Sequence, residues 1–309
     1  MPVVHTTTGI FYMFAQVNEA IVVRKFFSLV KISHTVFALP FALVGFFLGF
    51  QDVSGGFPWK LLALVLVCMV TARNSAMAFN RWADQEFDAQ NPRTKSRELP
   101  SGILSRKSVV WFIALNVVLF VTATYFINTW CFILSPVALA VILGYSYMKR
   151  ITPLSHFVLG TGLGLAPVGA YLAVTGHFAT WPVLLGMVVL LWVSGFDIIY
   201  ALQDEEIDKS LQLKSLPAWL GKDKALGYAR LIHLLSATIL MITGYFMVRV
   251  YPSLFLLFWF GVCLFIFMLI YQHRIINKYG LDKVNLAFFT FNGIASVVFG
   301  TLVILDFYI

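Results

Sequence analysis

Eight of the fourteen acidic residues in this 309-residue chain fall in two short windows. The first holds Asp84, Glu86 and Asp88, and the second holds Asp197, Asp204, Glu205, Glu206 and Asp208. Asn80, Asp84 and Asp88 are spaced by four, as are Tyr200, Asp204 and Asp208, so each trio shares one face of a helix. Asp197 lies seven residues before Asp204, on that same face. The two trios read as two copies of one device. Like charges at this spacing repel, and a carboxylate at membrane depth costs about 2.5–3.5 kcal/mol on insertion scales. A hard divalent cation offsets such a cost best. Mg2+ typically takes one or two carboxylates together with waters and substrate phosphates. Asp84, Asp88, Asp204 and Asp208 are therefore candidate metal ligands with room for a diphosphate, while Glu86, Glu205 and Glu206 read as solvated helix-end acids.

Basic residues lie where such an anion would need them. Arg93 and Arg97 follow the first window, Lys149 and Arg150 close an apolar stretch, and Lys214 follows the second window. Singly, each reads as a charge that orients the chain. Together they suggest a diphosphate clamp, in which arginine forks onto two oxygens and lysine acts as a point charge. Arg73 stands apart. It lies seven residues before Asn80, two helical turns deeper on the same face, with Asp197 as a candidate partner.

These residues must be positioned by helices in a membrane. The chain is 60% apolar and 12% charged, with 30 phenylalanines, and its mean hydropathy is +0.86. A soluble domain is nearer 45–50% apolar and about 25% charged, so a soluble enzyme is excluded. Nine apolar stretches run near 33–51, 58–80, 108–128, 130–148, 154–175, 181–203, 223–249, 253–272 and 284–306. Each is long enough for a helix to cross a hydrocarbon layer of about 30 Å. The alternating ten-residue pattern of a membrane barrel is absent. Ser54-Gly55-Gly56-Phe57-Pro58, Thr152-Pro153, Thr180-Trp181-Pro182 and Tyr251-Pro252 punctuate the stretches. Trp59, Trp130, Trp181 and Trp219 fall near the ends, as in an interfacial belt. Pro40 and Pro167 fall inside stretches and should kink them.

Nineteen basic residues lie on one side of this arrangement, against Lys60 and Arg249 on the other. That asymmetry places the N-terminus and the long loops in the cytoplasm and, with nine spans, the C-terminus outside. The net charge of +8 is one-sided and points to orientation and an anionic ligand rather than nucleic acid. No signal-peptide pattern opens the chain. Cys68, Cys131 and Cys263 read as small side chains buried in apolar runs.

Asn80-x3-Asp84-x3-Asp88, followed by Asn91-Pro92-Arg93-Thr94 and Leu99-Pro100-Ser101-Gly102, resembles the first motif of the UbiA superfamily of intramembrane prenyltransferases. Tyr200-x3-Asp204-x3-Asp208 resembles its second. Tyr145-Ser146-Tyr147-Met148-Lys149-Arg150, with Thr152-Pro153, is similar to the 4-hydroxybenzoate polyprenyltransferase branch. The stretch from Lys31 through His34 and Pro40 resembles a subgroup associated with menaquinone made by the futalosine route. The resemblance implies an all-α integral membrane protein: nine helices in a ring around a central lipid-facing cavity, over 33–309. A cytoplasmic or interfacial segment over 1–32 precedes it.

It further implies that Asn80, Asp84, Asp88, Asp204 and Asp208 hold Mg2+ and the diphosphate, with Arg93, Arg97 and Lys149 as diphosphate ligands. Arg73 falls where the family places a basic group for the carboxylate of an aromatic acceptor. The implied reaction is transfer of a polyprenyl group from polyprenyl diphosphate to an aromatic carboxylic acid in ubiquinone or menaquinone biosynthesis, at a bacterial cytoplasmic (inner) membrane. A futalosine-derived or naphthoate acceptor is the alternative substrate. Tyr145, Tyr147 and Tyr200 are candidates to face an allylic cation, Asp197 or Asp204 to take a proton, and His34 to touch the acceptor. The competing class is an ion-coupled carrier, since membrane acids often mark ion paths.

Overall fold

The computed structural model describes residues 25–30 and 37–309; the expectation for His34 lies outside the described residues. A short helix over 25–30 precedes α1 (Leu39–Gln51), α2 (Trp59–Ala83), α3 (Gln85–Gln90), α4 (Arg106–Ile127), α5 (Thr129–Ile151) and α6 (Ser155–Thr175). Then follow α7 (Thr180–Ala201), α8 (Glu205–Ser210), α9 (Leu216–Leu220), α10 (Lys222–Val250), α11 (Leu256–Tyr279) and α12 (Asn292–Asp306). The breaker clusters fall between helices as expected. Gly55 at φ +135° lies in the α1–α2 turn, and Thr152-Pro153 separates α5 from α6.

Eight segments among the described residues are long and apolar enough to cross a membrane. The expected ninth crossing, 33–51, is represented by α1, whose thirteen residues span only about 20 Å at 1.5 Å per residue. Pro40 opens that helix instead of kinking it, where its missing N–H costs no helix hydrogen bond. Pro167 does lie inside α6, and Gly45 of α1 packs straight against its backbone: a Cβ there would stand 2.1 Å from the Pro167 carbonyl oxygen.

Packing is that of a membrane bundle, with apolar side chains facing outward as well as inward. Trp59, Trp130 and Trp219 are exposed near helix ends, as an interfacial belt requires. Cys263 is exposed on the outer face, contrary to the expected burial, while Cys68 and Cys131 are half-buried. The segment continuing α7, Thr180–Ser210, is the most enclosed, 61% buried over its apolar window against 17% for α5. It packs on α6, where Gly164 and Gly186 let the backbones meet; a Cβ on Gly164 would lie 2.6 Å from the Gly186 carbonyl oxygen. On its other side Phe41, Trp192, Phe265 and Phe299 form an aromatic core between α1, α7, α11 and α12. The segment bearing the second acidic trio is thus the most enclosed of the eight.

Neither acidic trio lies on one continuous helix. α2 stops at Ala83 and α3 begins at Gln85, leaving Asp84 between them at φ −98°, ψ 12°. A 3-10 turn, Leu202–Asp204, follows α7, and α8 begins at Glu205, leaving Asp204 at φ −105°, ψ 6°. Both aspartates occupy the sparsely allowed bridge region, where many active-site residues sit. The repeat read from spacing is therefore also a repeat of backbone conformation. Each trio turns a corner at its middle member.

Candidate active site

A cavity of about 860 Å³ opens between these corners. Asn80, Asp84, Asp88, Arg93, Arg97, Lys149, Asp204 and Asp208 line its polar end, with Tyr145, Asp197, Tyr200 and Arg73 further along its wall. The rest is apolar: it passes Met69, Val65 and Phe120 and reaches Cys131 and Phe178. From Asn80 to Val65 along α2 the chamber covers about 22 Å at 1.5 Å per residue.

At the polar end each aspartate is met by a base. The Arg93 guanidinium forks onto Asp204, with Nε donating to Oδ1 at 3.0 Å and an Nη to Oδ2 at 2.6 Å. Its other Nη donates to the Tyr200 hydroxyl at 3.3 Å. Asn91 adds a second donor to Asp204 Oδ1, at 3.0 Å. Arg97 donates to Asp88 Oδ1 at 2.6 Å, and Lys149 to Asp208 Oδ2 at 3.1 Å. Arg150 donates to Asp84 Oδ1 at 3.1 Å, and Asn80 to Asp84 Oδ2 at 2.9 Å.

These links cross between the two motifs. The loop after the first trio holds the second trio through Asn91 and Arg93. Adjacent residues at the end of α5, about 100° apart around the helix, send Arg150 to the first trio and Lys149 to the second. Burial pushes the Asp84 carboxyl above the usual range, and the Arg150 hydrogen bond and charge offset part of that rise. Burial also works against the charge on Arg93, but the hydrogen bond to Asp204 and its charge outweigh it, so Arg93 holds its proton more firmly than usual.

Not every expected residue reaches the chamber. Lys214 is outside it; its ammonium donates to the Ile151 carbonyl at 3.1 Å and caps the C-terminal end of α5, where a helix favours a cation. Tyr147 faces away, packed edge-on against Phe79 with Arg150 over its ring at 4.9 Å. Tyr200 does line the wall, its ring 4.2 Å from that of Phe288.

One residue was missed by the sequence reading. His156 is fully buried on α6 and contacts Asp197 through Nδ1 at 2.7 Å. Its Nε2 accepts from the Leu216 backbone N–H at 3.4 Å. With Nε2 accepting, Nδ1 carries the ring proton and donates it, leaving Asp197 as the acceptor. The available signal was an ionisable residue at the start of a membrane helix.

No three Asp, Glu, His or Cys side chains among the described residues already enclose a cation. The donors nonetheless suit a hard ion. Asp88 is 7% exposed, and its Oδ2 is buried without any hydrogen-bond partner. An orphaned carboxylate oxygen, in a cavity end also lined by Asp84, Asp204, Asp208 and Asn80, fits the oxygen donors that Mg2+ takes.

Fold and site together define a helical membrane protein with an internal chamber, charged at one end and apolar along its length. The sequence matches the model of the UbiA prenyltransferase family over residues 38–294, and the chain belongs to that family. It is a prenyltransferase of the family, which sets the carrier reading aside. It is 29% identical to the 4-hydroxybenzoate octaprenyltransferase of Tolumonas auensis over 81% of this chain and 86% of that protein. Its fold matches a UbiA homolog from Aeropyrum pernix K1 with a TM-score of 0.79 at 30% identity, over 89% of this chain and 98% of the other. A UbiA homolog from Archaeoglobus fulgidus bound to DMAPP and Mg2+ shares the fold, with a TM-score of 0.71 at 18% identity over 92% and 99% of the two chains.

Proposed function

We propose that this chain transfers a polyprenyl group from a polyprenyl diphosphate to an aromatic carboxylic acid of the 4-hydroxybenzoate type, at the cytoplasmic face of a bacterial inner membrane. The reading is carried by one observation: four aspartate–base pairs ring the mouth of a long apolar chamber. Asn80, Asp84, Asp88, Asp204 and Asp208 are the residues to hold Mg2+. Bound there, Mg2+ supplies Lewis-acid neutralisation of the leaving diphosphate.

The ion pairs make this a partner exchange. Arg93, Arg97 and Lys149 would turn from carboxylate oxygens to phosphate oxygens, which frees Asp204, Asp88 and Asp208 to hold Mg2+. Until then each of these bases is paired with a carboxylate, which offsets the cost of holding its charge in the site. The allylic C–O bond then breaks, with its electron pair leaving on the diphosphate. A ring carbon of the acceptor supplies the pair that forms the new C–C bond, and its proton passes to a base. Asp197 suits that role, because His156 donates to it and leaves its carboxylate on the chamber wall.

Tyr145 and Tyr200 present aromatic rings on the same wall, where a π face stabilises a nearby cation. The apolar length holds the isoprenoid and keeps water from the cation. Arg73, two turns before Asn80 on α2 and on the chamber wall, is the residue to take the acceptor carboxylate.

Supplying a panel of hydroxybenzoic and hydroxynaphthoic acids to the purified enzyme with a polyprenyl donor, and weighing the products by mass spectrometry, identifies the acceptor. With that acid, Arg73→Ala should raise the acceptor KM at least about tenfold, since a charged hydrogen bond contributes about 1.5–3 kcal/mol, while the donor KM changes less than twofold. Equal losses for both substrates would contradict the carboxylate role.

A further inference from the structure

Arg93, Arg97, Lys149 and Arg150 each have a carboxylate within 3.1 Å. Arg81 does not. It is 5% exposed, on the last turn of α2 between Asn80 and Asp84, and its side chain lines the polar end of the cavity. Its Nε is shut away from solvent without an acceptor. Among the described residues, its guanidinium forms no hydrogen bond and no ion pair.

The charges around Arg81 do not supply a bonded counter-ion. Asp88 and Glu98 attract it, while Arg97 and Arg93 repel it. Asp88 Oδ1 is taken by Arg97, and Glu98 Oε1 accepts from Ser28. A buried guanidinium nitrogen with no acceptor is costly, and here that nitrogen is Nε. Among the described residues no side chain bonds it, so an acceptor for Arg81 is open to a ligand. Asp88 Oδ2, the orphaned atom of opposite sign, lines the same polar end. A metal-bound diphosphate is a single ligand that answers both: phosphate oxygens for the guanidinium and a cation for the carboxylate.

We propose that Arg81 is a further diphosphate-binding residue, its guanidinium held for the phosphate oxygens of the prenyl donor. This rests on the diphosphate reading of the chamber and adds a residue to it. Arg81 differs from the other bases of the mouth in function as well as in contacts. They exchange one partner for another when the donor binds, whereas Arg81 gains its first.

The test uses the full chain in a maltoside detergent, which carries no phosphate, with inorganic pyrophosphate and Mg2+ as the probe. Melting temperature and pyrophosphate Kd are measured for the wild type, Arg81→Gln and Arg81→Lys. The Gln variant should melt at or above the wild-type temperature without ligand, because it loses an uncompensated buried charge. It should bind pyrophosphate at least about tenfold more weakly, the range for a charged hydrogen bond. The Lys variant, which keeps the charge and loses the fork, should fall between. A Gln variant that binds pyrophosphate as well as the wild type would overturn the assignment. So would a Gln variant that melts lower or cannot be recovered folded, since that would make Arg81 a structural counter-ion. A wild type that does not bind pyrophosphate with Mg2+ would overturn the diphosphate reading itself, and Arg81's role with it.

Discussion

Asp204→Asn should lower prenyl transfer by at least about 10³-fold, roughly 4 kcal/mol of transition-state stabilisation, while the protein still inserts and folds. Asp204 is where the two halves of the site meet. It accepts from Arg93 twice and from Asn91 once, and it occupies the corner between the 3-10 turn and α8. Asparagine keeps the size and one acceptor oxygen, so the corner should persist. What is lost is the negative charge that offsets Arg93 before the donor arrives and faces the metal afterwards. The loss should appear in kcat, because the charge is needed most as negative charge builds on the leaving group. The check is product formation per milligram of detergent-purified variant with the identified acceptor, alongside its melting curve. Turnover within tenfold of wild type would remove Asp204 from the site.

Chelating divalent ions with EDTA should abolish turnover to a similar degree, at least about 10³-fold, with recovery on adding Mg2+ and none on adding Na+. A diphosphate leaving group carries more charge than Arg93, Arg97 and Lys149 can neutralise, particularly as each already has an aspartate partner. The orphaned Asp88 Oδ2 marks where the protein alone does not complete the site. The melting temperature should change little on chelation, because the four ion pairs hold the empty mouth closed. Full turnover in EDTA would show that the bases suffice, and the metal would leave the account.

Much of this molecule was legible in its sequence. Long apolar runs with one-sided basic loops dictate membrane helices, because backbone polar groups in lipid have to be bonded within the segment. The fourfold spacing of two acidic trios pointed to residues that line the polar end of the cavity. Spacing said nothing about the breaks at Asp84 and Asp204, since neither carries a glycine or proline signal. Nor did it say which base meets which acid. Lys149 and Arg150 are neighbours in sequence but serve opposite trios, an outcome fixed by how α5 is rotated against α2 and α7. The same rotation turns Tyr145 inward and Tyr147 outward. Lys214 looked like a clamp residue on charge and nearness alone, and the C-terminal end of α5 claims it instead. His156 was passed over because its partner, Asp197, lies 41 residues away on the next helix.

In the proposed reaction the two aspartate corners grip one metal-bound diphosphate at the mouth of the chamber. A structure determined with Mg2+ and a non-reacting prenyl thiolodiphosphate tests it directly. The diphosphate should lie between Asp84–Asp88 and Asp204–Asp208, with Arg93, Arg97 and Lys149 turned onto its oxygens and the isoprenoid tail running toward Cys131 and Phe178. A diphosphate bound elsewhere, with the four ion pairs still closed, would contradict it.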